Sequence, residues 1–169
     1  MYKSKIMTLE GIAHLKTDSH WYENVLTLLA AQQWEDALAY MVNESPAEKL
    51  MGWILQRSPA NTPEMQQCAQ EIGLWLKDHD ETRRWHIFQQ AEQLGFDTPL
   101  GALGLSLFWM QGSMTPTEFE AVYPEAHLSP LMLHCALKLL SMALAVNEPP
   151  MTGAQTLISE WNSIMQGGH

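Results

Sequence analysis

Apolar residues recur along the chain at three- and four-residue intervals, the period of a helix that buries one face. Trp21, Val25, Leu28 and Leu29 stand at i, i+4, i+7 and i+8, and Trp34, Leu38 and Met41 repeat the pattern. Leu50, Trp53 and Ile54 form a third stripe, and Met65, Cys68, Ile72, Trp75 and Leu76 a fourth. Asp80 opens a helix holding Ile87, Phe88, Ala91 and Leu94, which Gly95 closes as a C-cap. Leu100, Leu103, Leu107 and Phe108 belong to the next helix, ended by Gly112. Residues 131–146 are apolar nearly all round, which predicts a central helix. Leu157, Trp161, Ile164 and Met165 predict a terminal amphipathic helix.

The boundaries carry their own chemistry. Five times a hydroxyl residue precedes proline at the head of such a stretch: Ser45-Pro46, Thr62-Pro63, Thr98-Pro99, Thr115-Pro116 and Ser129-Pro130. The hydroxyl accepts from an orphan N–H of the first turn, and proline at the first helical position loses no hydrogen bond. Ser45-Pro46-Ala47-Glu48 and Thr115-Pro116-Thr117-Glu118 add the glutamate of a capping box. No run alternates with period two, and no Asn-Gly or Asp-Gly hairpin turn occurs.

The pattern therefore predicts an all-α single domain. It would be an irregular bundle of about eight or nine helices, or stacked helical hairpins. Residues 1–17 are expected as an N-terminal arm or short helix, 18–166 as the domain and 167–169 as a frayed tail. No 34-residue signature repeats, so a tetratricopeptide solenoid is a minor alternative.

Composition narrows the function classes. The 169 residues are 46% hydrophobic and 17% charged, enough apolar material for a sizeable core. The net charge is −10, which argues against sequence-independent nucleic-acid binding and against docking on an anionic membrane. Residues 85–169 hold one cation, Lys138, against seven carboxylates. That asymmetry serves solubility or steers a basic partner.

Two cysteines, Cys68 and Cys135, are too few for a disulfide scaffold and fit reduced, mostly buried thiols in the cytoplasm. No apolar run follows Lys3 and Lys5 to make a signal peptide. The segment 128–146 is interrupted by Ser129, Pro130, His134, Lys138 and Ser141, and reads as a buried helix of a soluble core.

Catalytic chemistry is hard to find. The seven histidines include no pair at i, i+3 or i, i+4, so no helical metal site is expected. No Gly-x-Ser-x-Gly elbow, phosphate loop or dinucleotide fingerprint is present. The chain is read as a non-enzyme with no cofactor, no metal and no catalytic residue.

Seven tryptophans and eleven methionines are the stronger signal. A helical chain of this length is hard put to bury them all, so an exposed apolar contact patch is expected. Trp109, Met110 and Met114, or Trp161 and Met165 on the terminal helix, are the residues assigned to it, and a homodimer through that helix is a further expectation. Arg83 and Arg84 join them as partner-binding residues. Two arginines at a helix start oppose its dipole, which points to a tertiary reason for them.

Finally, Glu81-Thr82-Arg83-Arg84, Ala91-Glu92, Gly95-Phe96-Asp97-Thr98-Pro99, Leu107-Phe108-Trp109, Gly112-Ser113 and His127-Leu128-Ser129-Pro130 form a recognisable series. Across residues 45–146 it resembles an uncharacterised family of small helical bacterial proteins associated with type VI secretion gene neighbourhoods. The first 40 residues are not clearly part of the resemblance. Met114 and Thr115-Pro116-Thr117-Glu118 stand where that family is expected to carry a proline-rich linker. The resemblance implies a cytoplasmic accessory role, such as an adaptor or chaperone for a secreted cargo, with a secreted effector or secretion component as protein partner. The runner-up is an immunity-type inhibitor that blocks a toxin through its acidic face.

Overall fold

The computed structural model describes residues 5–167. The chain ends 1–4 and 168–169, and with them most of the tail and the start of the arm, lie outside the described residues. Among the described residues there are nine α-helices and no strand, so the fold is all-α. In chain order they are α1 (Leu9–Ala13), α2 (Trp21–Ala30), α3 (Trp34–Glu44), α4 (Ala47–Arg57), α5 (Pro63–Asp78), α6 (Glu81–Leu94), α7 (Pro99–Met110), α8 (Leu128–Ala145) and α9 (Pro150–Gly167). The helices gather into two compact units, one running up to Ser45 and again from Leu137, the other from Pro46 to Ala136.

In the first unit α3 packs against both α2 and α9. The stripes on α2 and α3 are buried as their spacing requires: Val25, Leu28, Leu38 and Met41 are wholly inaccessible. Polar side chains fasten the connections. Asp36 accepts from the Thr8 backbone N–H at 2.8 Å and from the Thr8 hydroxyl, anchoring α1 on α3. The Asn24 amide closes on the Lys16 backbone, accepting from its N–H and donating to its carbonyl, both at 2.9 Å. It also donates to the Tyr40 hydroxyl at 3.1 Å. Gly153 of α9 lies so close to the Ser141 carbonyl that no β-carbon fits there.

In the second unit α6 and α7 form the closest pair, with α5 packed on both. Thr62 and Thr98 cap α5 and α7 as expected, accepting from Met65 and Gly101 N–H groups at 3.1 Å each, with proline next in both helices. Gly104 brings α7 against Ala91 and Ile87 of α6, where an added β-carbon would meet the Ala91 methyl at 2.7 Å.

Three expectations fail at the other hydroxyl–proline pairs. Ser45 does not cap α4; its hydroxyl turns back to the Met41 carbonyl and accepts from the Trp161 indole at 2.9 Å. Thr115-Pro116 starts no helix, because residues 111–127 form a long irregular loop. Ser129 lies inside the first turn of α8, where its hydroxyl donates to the Ser106 carbonyl at 2.7 Å. In each case a tertiary hydrogen bond or a turn took the hydroxyl that local chemistry offered to a helix.

The central helix is also misplaced by the sequence pattern. α7, not α8, is buried all round, with every residue from Leu100 to Phe108 inaccessible or nearly so. α8 is long and apolar enough to cross a membrane by length and composition. Yet it carries the ion-paired Lys138, 3.7 Å from Glu35, and exposes Met142 and Leu144 near its end. The long run of apolar residues on all sides pointed to α8, whereas the small residues Gly101, Ala102, Gly104 and Ser106 let neighbours enclose α7.

Candidate protein-contact surfaces

The two adjacent arginines at the start of α6 divide their work. Arg84 is 1% exposed and reaches across to the end of α7. Its Nε and Nη2 donate to the Phe108 carbonyl at 3.0 and 2.9 Å, and Nη2 donates also to the Ser113 carbonyl at 2.7 Å. Nη1 meets Glu81 at 2.8 Å, and the guanidinium lies 4.1 Å from the centroid of the Phe108 ring. Burial pulls this guanidinium below its ordinary pKa, and the charge of Glu81 opposes the pull. Gly112 follows with φ +89°, and a β-carbon there would sit 2.9 Å from the Arg84 Cζ. Arg84 is thus a buried clamp on the last carbonyls of α7, and its assignment to partner binding is corrected.

Arg83 points the other way. Its Nε donates to Glu71 of α5 at 2.8 Å and its Nη1 to Asp78. Its hydrogen bonds to the Asp78 and Glu71 carboxylates raise the Arg83 pKa; the Asp80 N–H and Arg83 lower that of Asp78. Nearby, His79 takes the left-handed conformation that ends α5 (φ 51°) and meets Glu48 at 2.8 Å. The glutamate of the expected first capping box is therefore engaged across helices instead. Both arginines have the tertiary reason that their unfavourable place on the dipole implied.

The remaining assigned residues divide between the two units. Trp109, Met110 and Met114 are half-buried around the exit from α7. Trp161 is wholly buried in the first unit and spends its indole N–H on Ser45, so it is packing, not a contact residue. Met165 is half-buried further along α9.

Two apolar surfaces stand out, each within one unit. The loop 111–127 presents Phe119, Val122 and Tyr123 at 65%, 47% and 70% exposure. In the first unit, α2 and α9 flank a groove of about 420 Å³ lined by Tyr22, Leu26, Leu29 and Ala30 on one wall and Met151, Gln155 and Ile158 on the other. Leu26, half exposed, stands in it. Neither surface was read from the sequence. The groove had a signal: Tyr22, Leu26 and Leu29 form a second helical stripe beside Trp21, Val25 and Leu28, wider than one core contact needs. The loop had one too, three large apolar residues between Pro116 and Pro124.

Cys68 is fully buried, which pushes its thiol from 9.0 up to about 11, while Cys135 is half-buried. Both are unlinked, and a protonated, enclosed thiol is a poor nucleophile. Among the described residues no group of three His, Cys, Asp or Glu side chains is placed to hold a metal ion. The buried hydroxyls of Ser106 and Ser129 are spent on each other's backbone carbonyls at 2.7 Å.

Comparison with known proteins places the sequence. Residues 25–159 match the model of a family of unknown function (DUF6931), and the chain belongs to that family. The match begins at residue 25, within α2, so most of α2 and all of α3 lie inside the family domain. No curated protein and no solved structure matches the chain.

Proposed function

We propose that this member of the DUF6931 family is a non-enzymatic accessory protein that holds an amphipathic helix of a protein partner in the groove between α2 and α9. Its cellular role in this reading is that of a cytoplasmic adaptor or chaperone for a cargo of a secretion system, type VI secretion being the favoured setting. The groove carries the reading. Its α2 wall offers apolar side chains at i, i+4 and i+7 (Tyr22, Leu26 and Leu29), and its α9 wall sets Met151 and Ile158 at i and i+7 with the polar Gln155 between them, about two turns of matched length. That is the spacing at which a helical ligand presents its own anchors. Met151 supplies a side chain that adapts its shape to varied apolar partners.

The test is co-purification of the tagged protein with a co-expressed cargo from the adjacent gene, at low and at high salt. A complex that survives high salt and is lost in Leu26→Glu, with circular dichroism unchanged, supports the reading. Leu26 is exposed enough for glutamate to be tolerated. A complex that persists in Leu26→Glu overturns it. A second reading, the immunity-type inhibitor acting through an acidic face, rests on the charge of residues 85–169, and predicts a complex that dissolves as salt rises.

A further inference from the structure

We infer that the loop 111–127 is a docking element for a cationic, amphipathic segment of a protein partner. The inference stands on the second unit alone and does not depend on the groove.

The loop is long for a connection with no secondary structure of its own, a length usually kept for function. It is not slack. The Ser113 hydroxyl donates to the Val122 carbonyl at 3.2 Å and accepts from the Val122 N–H at 3.0 Å, and the Met114 N–H donates to the same carbonyl at 2.7 Å. The Thr115 hydroxyl donates to the Glu120 carbonyl at 2.7 Å, and Arg84 holds Ser113 from beneath. These bonds fix the base of the loop and leave Phe119, Val122 and Tyr123 outside. An ordered loop that displays its largest apolar side chains has forgone burying them, and the ordering cost of binding is already met.

Charge decides what covers them. Glu118 and Glu120 flank Phe119, Glu125 follows Tyr123, and the sequence contains no lysine or arginine from residue 85 to residue 137. An anionic membrane or nucleic acid is repelled by such a surface. A segment with lysines or arginines beside apolar residues is matched on both counts. Three side chains make a small contact, below the standard interface size, so affinity on the order of micromolar and marked salt sensitivity are expected.

The experiment uses the full chain and three labelled synthetic peptides of equal length: lysine and leucine at helical spacing, glutamate and leucine at the same spacing, and oligolysine. Binding is read by fluorescence anisotropy at low and raised salt. The lysine–leucine peptide is expected to bind at least about tenfold more tightly than either control, an edge of about 1.4 kcal/mol. The double variant Phe119→Ser/Tyr123→Ser should weaken it by about tenfold or more. Glu118→Gln/Glu120→Gln/Glu125→Gln should weaken it and flatten its salt dependence. The exposed pair Glu64→Gln/Glu92→Gln should leave it unchanged. The loop residues are exposed, so an unchanged Tm is expected in every variant. Leu26→Glu separates the two surfaces: if it abolishes binding while the loop variants do not, the peptide sits in the groove and the loop inference falls. Equal binding of the glutamate peptide, no binding at all, or preferential binding to phosphatidylcholine vesicles overturns it as well.

Discussion

Replacing Arg84 tests the clamp most directly. In Arg84→Ala the carbonyls of Phe108 and Ser113 lose three hydrogen bonds of 2.7–3.0 Å. A buried acceptor left without a donor costs about 1–3 kcal/mol, so two of them cost about 2–6. Ser113 lies near enough to solvent for water to recover part of its share. The emptied volume beside the Phe108 ring adds a cavity term, since the guanidinium packs 4.1 Å from its centroid. The exposed Glu81 end of the ion pair contributes little, because its carboxylate returns to water. The expected loss is about 3–5 kcal/mol, in line with breaking a buried charged contact. For a chain of this size that lowers Tm by roughly 6–20 °C. Arg84→Lys should recover only part of it, because one ammonium cannot fork between two carbonyls. Urea unfolding followed by circular dichroism gives the free energy, and limited proteolysis should show new cleavage within 111–127. A loss below about 1 kcal/mol in Arg84→Ala, with the loop still protected, would refute the reasoning.

Two further outcomes follow from burial. Trp161→Ala should cost about 3–5 kcal/mol and Met165→Ala less than about 1, measured by urea unfolding, because only the first empties a wholly buried site; similar small losses at both would return Trp161 to the surface. Cys68, raised in the folded state from 9.0 to about 11, should keep its proton where the unfolded chain has lost it. The folded state then binds more protons, so this contribution is full below pH 9 and fades as pH rises through about 11, by at most about 2–3 kcal/mol. The alkaline fall in stability should be shallower in Cys68→Ala, and iodoacetamide should label Cys135 well before Cys68. A fast Cys68 would contradict its burial.

What was legible in the sequence followed from local physics. The helical stripes on α2 and α5 were read correctly because a 3.6-residue period leaves one face to bury, and Val25 and Ile72 are on it; on α3 the stripe residues Leu38 and Met41 are buried too, but within a run, residues 36–42, that is buried on every side. Thr62-Pro63, Thr98-Pro99 and Asp80 started helices because their oxygens accept from first-turn N–H groups, Thr98 doing so while its hydroxyl proton goes to the Gly95 carbonyl. Ser45 and Ser129 were misread because their hydroxyls are claimed by Trp161 and Ser106, 116 and 23 residues away. Contacts at that separation leave no mark in a local window. The contact surfaces were harder still. Abundance of tryptophan and methionine pointed to an exposed patch, but tryptophan is large enough to be worth burying: Trp53, Trp75 and Trp161 are core. The loop's exposed apolar side chains are Phe119, Val122 and Tyr123, a few residues beyond Met114.

The motif that made the chain recognisable describes a joint in the fold. Thr98 donates its hydroxyl to the Gly95 carbonyl at 2.7 Å and accepts from Gly101, and Gly101 has no room for a β-carbon beside that carbonyl. Arg84 binds Phe108 and Ser113 with Gly112 bent around it. Each residue type is demanded by geometry: glycine where a side chain would collide, threonine where a cap and a back-bond meet, arginine where two carbonyls need a fork. None of these positions offers a free functional group to a ligand. Their effect on recognition is indirect, because the joint fixes the base from which Phe119, Val122 and Tyr123 project. Substitutions in the joint should therefore act on stability first and on binding only through the loop, whereas substitutions at the tip should change binding at constant Tm. That separation gives the motif and the tip different experimental signatures.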